Sequence, residues 1–504
     1  MRRSLLLCLL SMAIVLSVSS VVHAQPLPGT GWYSTATIQN VGSATANVNL
    51  AVYPQQSTSS ASTASFTLDV GASKVFVAGG NNASGTVDVS PPLASGSGSA
   101  VISSDQPVVA IGSIQNNQLS AFPGLGVSGG NAAEFFRGAS QAGTSLFYPV
   151  VKNNFFNRTT VFSIQAAGSD AKITATIRAN NGSIHTKTLT IQANRSVFLV
   201  PNDFTPPMAS GSCGSNANTS PCFGSLSITS SSGSIVGAYI EFQTAQPPAQ
   251  LVLAASMFAN TEADNKIYCP VIKNEFVGRT TGMTIANTSN VTVTVNVTYT
   301  VYQVMPGVNV NVGSTYTESG VTIPANGSVV FSRFNSNIGG MPPGTLAAAV
   351  VEGSTNSLVG VVNESNFSGT PVRATAYTCF GEDSATNRLA APLFKRNVAG
   401  VTSALVVQNV GANNVTMTAT FKCGTSSPVT VTTGSIAPGS SFNFSGFRGA
   451  PLMDDVPFNQ NCAVTVTVPS GGKIVGIAQE TAQFGTVQPN LNTKNYEAFN
   501  LPNT

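Results

Sequence analysis

Val291-Thr292-Val293-Thr294-Val295-Asn296-Val297-Thr298-Tyr299-Thr300-Val301 alternates apolar and polar residues without a break. A period of two puts every valine and Tyr299 on one face of an extended chain, and the Thr/Asn set on the other. That predicts a strand with one buried and one wet face. Val464-Thr465-Val466-Thr467-Val468 repeats the pattern. Turn chemistry separates such runs, at Pro324-Ala325-Asn326-Gly327-Ser328, Ala437-Pro438-Gly439-Ser440 and Gly182-Ser183. Helical character is weak everywhere; its one candidate is Asn131 to Gln141.

Working outward, the chain repeats itself. Pro-apolar-apolar-Lys occurs at Pro149-Val150-Val151-Lys152, Pro270-Val271-Ile272-Lys273 and Pro392-Leu393-Phe394-Lys395, with prolines 121 and 122 residues apart. A strand ending in Gln-Asn or a variant occurs at Ile38-Gln39-Asn40, Ile164-Gln165-Ala166, Ile285-Ala286-Asn287 and Val407-Gln408-Asn409. An apolar-apolar-small signature occurs at Val108-Val109-Ala110, Ile235-Val236-Gly237, Leu358-Val359-Gly360 and Ile474-Val475-Gly476. Three signatures in one order imply four units of about 120 residues. Short strands with frequent turns in units of this size favour four tandem immunoglobulin-like β-sandwich domains. Propellers and solenoids repeat at about 20–50 residues, which argues against them. The expected division is a leader at 1–24, repeat 1 at 25–120, a connector at 121–147, and repeats at 148–260, 261–382 and 383–504. Repeat 1 lacks the leading Pro-apolar-apolar-Lys strand, having only Pro26-Leu27-Pro28 before Trp32. An open sheet edge there would be a template for a strand of another chain, unless Pro26 to Gly31 covers it.

The start reads as an export signal. Met1-Arg2-Arg3 is basic, Ser4 to Val22 is mostly apolar, and Val22-His23-Ala24 fits a signal peptidase, with cleavage expected after Ala24. No second apolar run is long enough to span a membrane once the leader is gone. Charged residues make up 8% of the chain, against about 25% in a typical soluble protein, while 42% are hydrophobic. That is material for several cores under a neutral, hydroxyl-rich surface, and not for a disordered chain. A net charge of +3 over this length implies no nucleic-acid partner.

Of seven cysteines, Cys8 lies in the leader and six remain. In an exported chain they imply three disulfides. Cys213–Cys222 would close a short Gly/Ser/Asn loop, Cys269–Cys379 would clasp the third unit, and Cys423–Cys462 would lie in the fourth. No Cys/His cluster points to a metal.

The phrases Tyr148-Pro149-Val150-Val151-Lys152-Asn153 and Leu405-Val406-Val407-Gln408-Asn409-Val410-Gly411 resemble repeats of large secreted or surface proteins of filamentous, Chloroflexota-type bacteria. The resemblance implies an Ig-like fold and a surface location, and no defined activity.

Chemistry is hard to find. After the leader the only histidine is His185, in an apparent turn entering a strand, where it is expected to be solvated. Without a partner histidine or spare thiol it assembles no catalytic array. The acidic pairs Glu382-Asp383 and Asp454-Asp455 sit in apparent loops, as solvated charge or a calcium ligand set. Gly124 to Gly130 is Gly-rich but lacks the flanks of a phosphate loop. Sequons such as Asn157-Arg158-Thr159 and Asn414-Val415-Thr416 follow from an Asn/Ser/Thr-rich composition. The expectation is no enzyme and no cofactor. The leading reading is a secreted structural or adhesive protein, a rod of four sandwiches in a filament, sheath or cell-surface layer that self-associates. The alternatives are a carbohydrate-binding array, with Trp32 as the aromatic that would stack on a glycan, and more remotely a secreted hydrolase.

One pattern of charge recurs. Four residues past the small residue of the third signature stand Glu241, Glu364 and Glu480, where the first unit has Ile114. Lys152, Lys273 and Lys395 occur in the same three units. Their joint presence and absence predicts Lys–Glu ion pairs Lys152–Glu241, Lys273–Glu364 and Lys395–Glu480, linking the leading strand to a late strand. The alternative is solvated charge at turns, and a Lys–Asn cross-link is more remote.

Overall fold

A computed structural model describes residues 10–14, 27, 32–55, 59–78, 86–93, 96–116, 132–139, 142–211, 213–243, 252–366, 374–398, 400–424, 426–448, 450, 452–482 and 493–503. Its regular structure is β-strand, with only 3-10 turns besides. The sheets are antiparallel except for the short pairing of Ser73–Val77 with Thr86–Val87. Gly124 to Gly130 and the leader's cleavage site lie outside the described residues.

The third unit shows the plan. Its outer sheet holds Thr315–Ile323, Val293–Val304, Thr345–Gly353, the leading strand Lys266–Asn274 and Phe380–Gly381, in that order. Its inner sheet runs Ser328–Ser332, Arg279–Asn287, Leu358–Asn366, then the closing strand Ala374–Thr378. Val293, Val295, Val297, Tyr299 and Val301 are all fully buried between the sheets, so the sandwich core follows the period of two. Val291 stays outside the strand, 54% exposed.

The leading-strand proline marks a bulge. Register shifts occur between Tyr148 and Val151, Cys269 and Ile272, and Ala391 and Phe394. Proline has no N–H to give the ladder, so the chain leaves it for a step. In the third unit the closing strand repairs the gap: Val271 N donates to Tyr377 Oη at 3.0 Å, and Tyr377 Oη donates to Val271 O at 2.7 Å. Tyr496 does the same at Leu393.

The Gln-Asn signature is a corner. Asn287 Nδ2 donates to Val291 O at 2.6 Å and to Ile323 O at 3.3 Å, while its Oδ1 accepts from Ser289 N at 2.9 Å. Asn40 and Asn409 repeat this pattern at Gly42 and Gly411. These bonds replace the ladder where a strand passes from the inner to the outer sheet. The second unit has Ala166 there, and no corner forms. Arg158–Ala179 runs through both sheets as one strand of 22 residues, beside Phe223–Gln243 of 21 residues. The two sheets of that unit therefore join into one of seven strands.

Two expectations about the first unit need correction. The helix expected over Asn131 to Gln141 is not found among its described residues: Ala132–Arg137 is a strand paired with Val108–Asn116. Local helix propensity yields to the free edge of the inner sheet. The segment taken as connector thus contains the first unit's closing strand. The leading-strand place, empty in the sequence reading of repeat 1, is taken in the full chain by Leu10–Ile14, paired with Gly98–Ser104.

The rod is also replaced. The four closing strands Ala132–Arg137, Val252–Ser256, Ala374–Thr378 and Lys494–Glu497 pack first on second, second on third, third on fourth and fourth on first. The units therefore form a closed ring. The apolar-apolar signature explains why. Leu358 and Val362 enter the third unit's own core, whereas Val359 and Val361 on the opposite face join the second unit's core. Likewise Val475 and Ile477 of the fourth unit pack on the third, and Val109 and Ile111 of the first pack on the fourth. Ala238 and Ile240 of the second pack on the first. Inner sheets apolar on both faces cannot stay at the surface of a rod.

Candidate functional site

The buried charge clusters are the most organised polar feature of the fold. Lys152, Lys273 and Lys395 close the leading strands, just past the bulge. Each lysine's backbone N–H donates to a hydroxyl on the next strand: Thr160 at 2.9 Å, Thr281 at 3.1 Å and Ser403 at 2.9 Å. That contact sets where the lysine side chain points. Lys152 Nζ lies 2.9 Å from Glu241, Lys273 Nζ 2.8 Å from Glu364, and Lys395 Nζ 2.9 Å from Glu480. All three carboxylates are buried.

Each cluster has a second cation that the sequence reading missed. Arg158 Nη1 lies 3.2 Å from Glu241 and Arg279 Nη1 lies 2.7 Å from Glu364. Both arginines stand six residues after the lysine and open an Arg-Thr-Thr run, a signal that was available in the repeat. The fourth unit has Val401 at that place; Lys494, from the closing strand, approaches Glu480 at 3.6 Å instead. Across the unit boundary Gln479 Nε2 donates to Glu364 at 3.0 Å, and its Oε1 accepts from Lys273 at 3.0 Å. Burial pushes the Glu364 carboxyl up, but Lys273 and Arg279 outweigh it and hold it at about 2. Burial pulls Lys273 below its usual value. With every oxygen of Glu364 engaged, this arrangement fixes strand register and unit contact and offers no free acid or base.

At the ring centre Glu134, fully buried, accepts backbone N–H groups from three of the four units. They are Phe135 at 3.0 Å, Asn495 at 2.7 Å and Ala376 at 3.1 Å. Burial raises this carboxyl well above its ordinary range, the hydrogen bonds opposing. Glu134 occupies the closing-strand position beside Ile114, as Thr375 does beside Glu364.

The cysteines come together as Cys213–Cys222, Cys269–Cys379 and Cys423–Cys462, with Cα separations of 5.7, 4.7 and 4.0 Å. The second ties the leading strand to the residue after the closing strand, and the third joins directly paired strands.

His185 is not solvated. It is 4% exposed, with Nδ1 2.8 Å from Pro206 O and Nε2 3.1 Å from Ser183 Oγ. The segment around Pro206 folds back over its strand, bridging Thr186 to Thr205, and covers it. Trp32 is 1% exposed inside the first unit's core, so its ring presents no face to a sugar. A cleft of about 290 Å³ borders the first, second and third units, lined by Arg137, Glu262, Asp264 and Asp383 among others. Arg137 lies 3.9 Å from Glu262, and Asp264 accepts the Asp383 N–H at 3.1 Å. Among the described residues no group of three or more His, Cys, Asp or Glu could hold a metal ion, and no helix is long and apolar enough to cross a membrane.

The fold and these sites define a class: an all-β protein of disulfide-bonded β-sandwich repeats. No protein-family model matches the chain, and no curated protein matches it. Among solved structures, a Thermotoga maritima protein, 1070, is similar over 24% of this chain and 96% of its own, at 14% identity and TM-score 0.19. A tetra-tandem repeat from the extending region of a large adhesion protein is similar over 92% of this chain and 93% of its own, at 12% identity and TM-score 0.12. At such TM-scores neither likeness carries an argument.

Proposed function

We propose that this chain is exported by its apolar leader and serves as a structural or adhesive protein of the cell surface, working by contact and not by catalysis. The observation that carries the reading is the pairing of all six cysteines beyond the leader into three bonds, which suits an oxidising compartment. The recurring charges support it, since they are used inside the fold to lock strands and units together. The low charge of the remaining surface suits lateral contact with like surfaces in a filament, sheath or layer. The test is to locate the native protein on its own cells and to measure its size without reductant. The expected result is protease-accessible protein at the surface, in assemblies larger than one chain. Cytoplasmic protein with free thiols would end the reading.

A further inference from the structure

We propose that the first unit, after leader removal, is an acceptor slot for an uncharged β-strand donated by a separate exported polypeptide. The proposal rests on the export reading above. Leu10, Met12 and Ile14 stand opposite Ile102, Ala100 and Gly98. In the third unit Ile267, Cys269 and Ile272 stand opposite Val351, Ala349 and Ala347 in the same way. Residues 10–14 thus hold the place of a leading strand, in a stretch expected to be cut away after Ala24. They also lie along Val108–Asn116 and against the long strands Arg158–Ala179 and Phe223–Gln243 of the second unit. The place is therefore a slot between two units and not an open flank. Removing its occupant leaves the outward N–H and C=O groups of Gly98–Ser104 unpaired and strips a neighbour from Ala100 and Ile102, both fully buried.

The chemistry of the slot identifies its guest. Units two to four hold their leading strands with a lysine against a buried glutamate, and the third adds the Cys269–Cys379 bond. The first unit has buried Ile114 at the glutamate position and Gly138 at the position of Cys379. Gly138 is placed by its N–H bond to Ala110 O at 2.9 Å, as Cys379 is by its bond to Gly360 O at 2.8 Å. A leading strand lent by a second copy would bring Lys152, Lys273 or Lys395 to Ile114 in place of a glutamate, and the carboxylate beside that residue, Glu134, already accepts backbone N–H groups from three units. The slot instead suits an apolar strand without charge, as Leu10–Ile14 is, a stretch that the sequence follows with the equally apolar Val15-Leu16. Strand addition gives affinity through backbone bonds, and the side-chain pockets select the guest.

The test uses the processed chain recovered from exporting cells, with its new N-terminus sequenced. Amide exchange is followed alone and with a synthetic peptide of residues 9–15 carrying solubilising arginine tails. Control peptides replace Met12 and Ala13 with proline, or Val15 with lysine. Alone, Gly98–Ser104 should exchange at least 100-fold faster than its counterpart Thr345–Gly353. The peptide should bind one per chain and slow that exchange at least tenfold. The proline peptide should not bind, and the Val15→Lys peptide should bind at least tenfold more weakly. Protection of Gly98–Ser104 in the peptide-free monomer overturns the proposal, because the chain then closes its own slot. Protection that appears only in concentration-dependent oligomers overturns it in favour of a second copy, and equal binding of the lysine peptide overturns the choice of guest. A surface protein that keeps its leader also overturns it, while leaving the surface reading standing.

Discussion

The first and third units share a strand order and differ in how the leading strand is held. In the third unit that strand belongs to the same sandwich by chain connection, by Cys269–Cys379, by the Lys273–Glu364–Arg279 cluster and by the Tyr377 bridge to Val271. In the first unit Leu10–Ile14 is held by backbone pairing to Gly98–Ser104, with Ile114 and Gly138 at the positions that would carry the cluster and the bond. The difference teaches that these devices serve one strand. Of these devices the lysine and the glutamate come and go together across the four units, which is why that pair could be read before any coordinates, whereas the disulfide at this place belongs to the third unit alone.

Cutting the disulfide should have the largest effect. The Cys269–Cys379 bond closes 110 residues, and a loop of that size is worth about 4–5 kcal/mol through the unfolded state. Cys269→Ser with Cys379→Ser should lower stability by about that much in denaturant unfolding. The same loss from Cys213→Ser with Cys222→Ser, whose loop spans 9 residues, would break the argument from loop size.

Next comes Glu364→Gln. It leaves Lys273 and Arg279 buried without a countercharge and should cost about 3–5 kcal/mol. The pH dependence has a definite sign. A carboxyl held at about 2 in the fold, against an ordinary value of 4.5, contributes fully above 4.5 and loses its contribution as pH falls toward 2. Wild-type stability should therefore drop across that window, and the variant's should drop less. Thermal melts from pH 2 to 7 read both. Ile114→Glu is the converse in the first unit; it buries a carboxylate without the lysine and should destabilise at neutral pH more than at pH 3.

Much of this was legible. The period of two at Val293–Val301, the cysteine partners and the lysine–glutamate positions are local or repeat-encoded, so one sequence displays them. The ring was not read, because closure depends on contacts between strands hundreds of residues apart, and a repeat period is the same in a rod and a ring. Its trace was present even so: Val108-Val109 and Leu358-Val359 are apolar on consecutive residues, which gives a strand two buried faces. His185 was misread because the covering segment near Pro206 carries no sequence mark of its folding back.

A subtler contrast lies in the small residue of the third signature. A Cβ added at Gly237 would stand 2.6 Å from Met257 Sδ, whereas the first unit tolerates Ala110 because Gly138 faces it. Gly237→Ala should cost about 1–3 kcal/mol by overpacking, and adding Met257→Ala should recover part of that cost. Additive losses in the double variant, measured by denaturant unfolding, would break this pairing.

The smallest effect expected is at the corner. Asn409 is fully buried, donates to Asn413 O and Ile436 O, and accepts from Gly411 N at 3.0 Å. Asn409→Ala removes all three bonds, but the turn lies near solvent and water can replace part of them, so the expected cost is about 1–2 kcal/mol. The Gly411 amide should exchange faster, with little change in the strands on either side. The second unit, which lacks the corner, defines the limit of this substitution. Its continuous strand has alanine at 166 and also a link one residue shorter: Ala166 to Ala171 spans five positions, where Asn409 to Val415 spans six. Removing the asparagine alone keeps the extra residue, and with it the step between the sheets. Asn409→Ala should therefore loosen the corner without fusing the strands, whereas the same substitution with Ala412 deleted should allow Val401–Asn409 and Val415–Cys423 to run on as one. Hydrogen exchange across 409–415 separates the two outcomes: fast in the single variant, slow and strand-like in the double. Slow exchange in the single variant would show that the asparagine, and not the length of the link, divides the sheets.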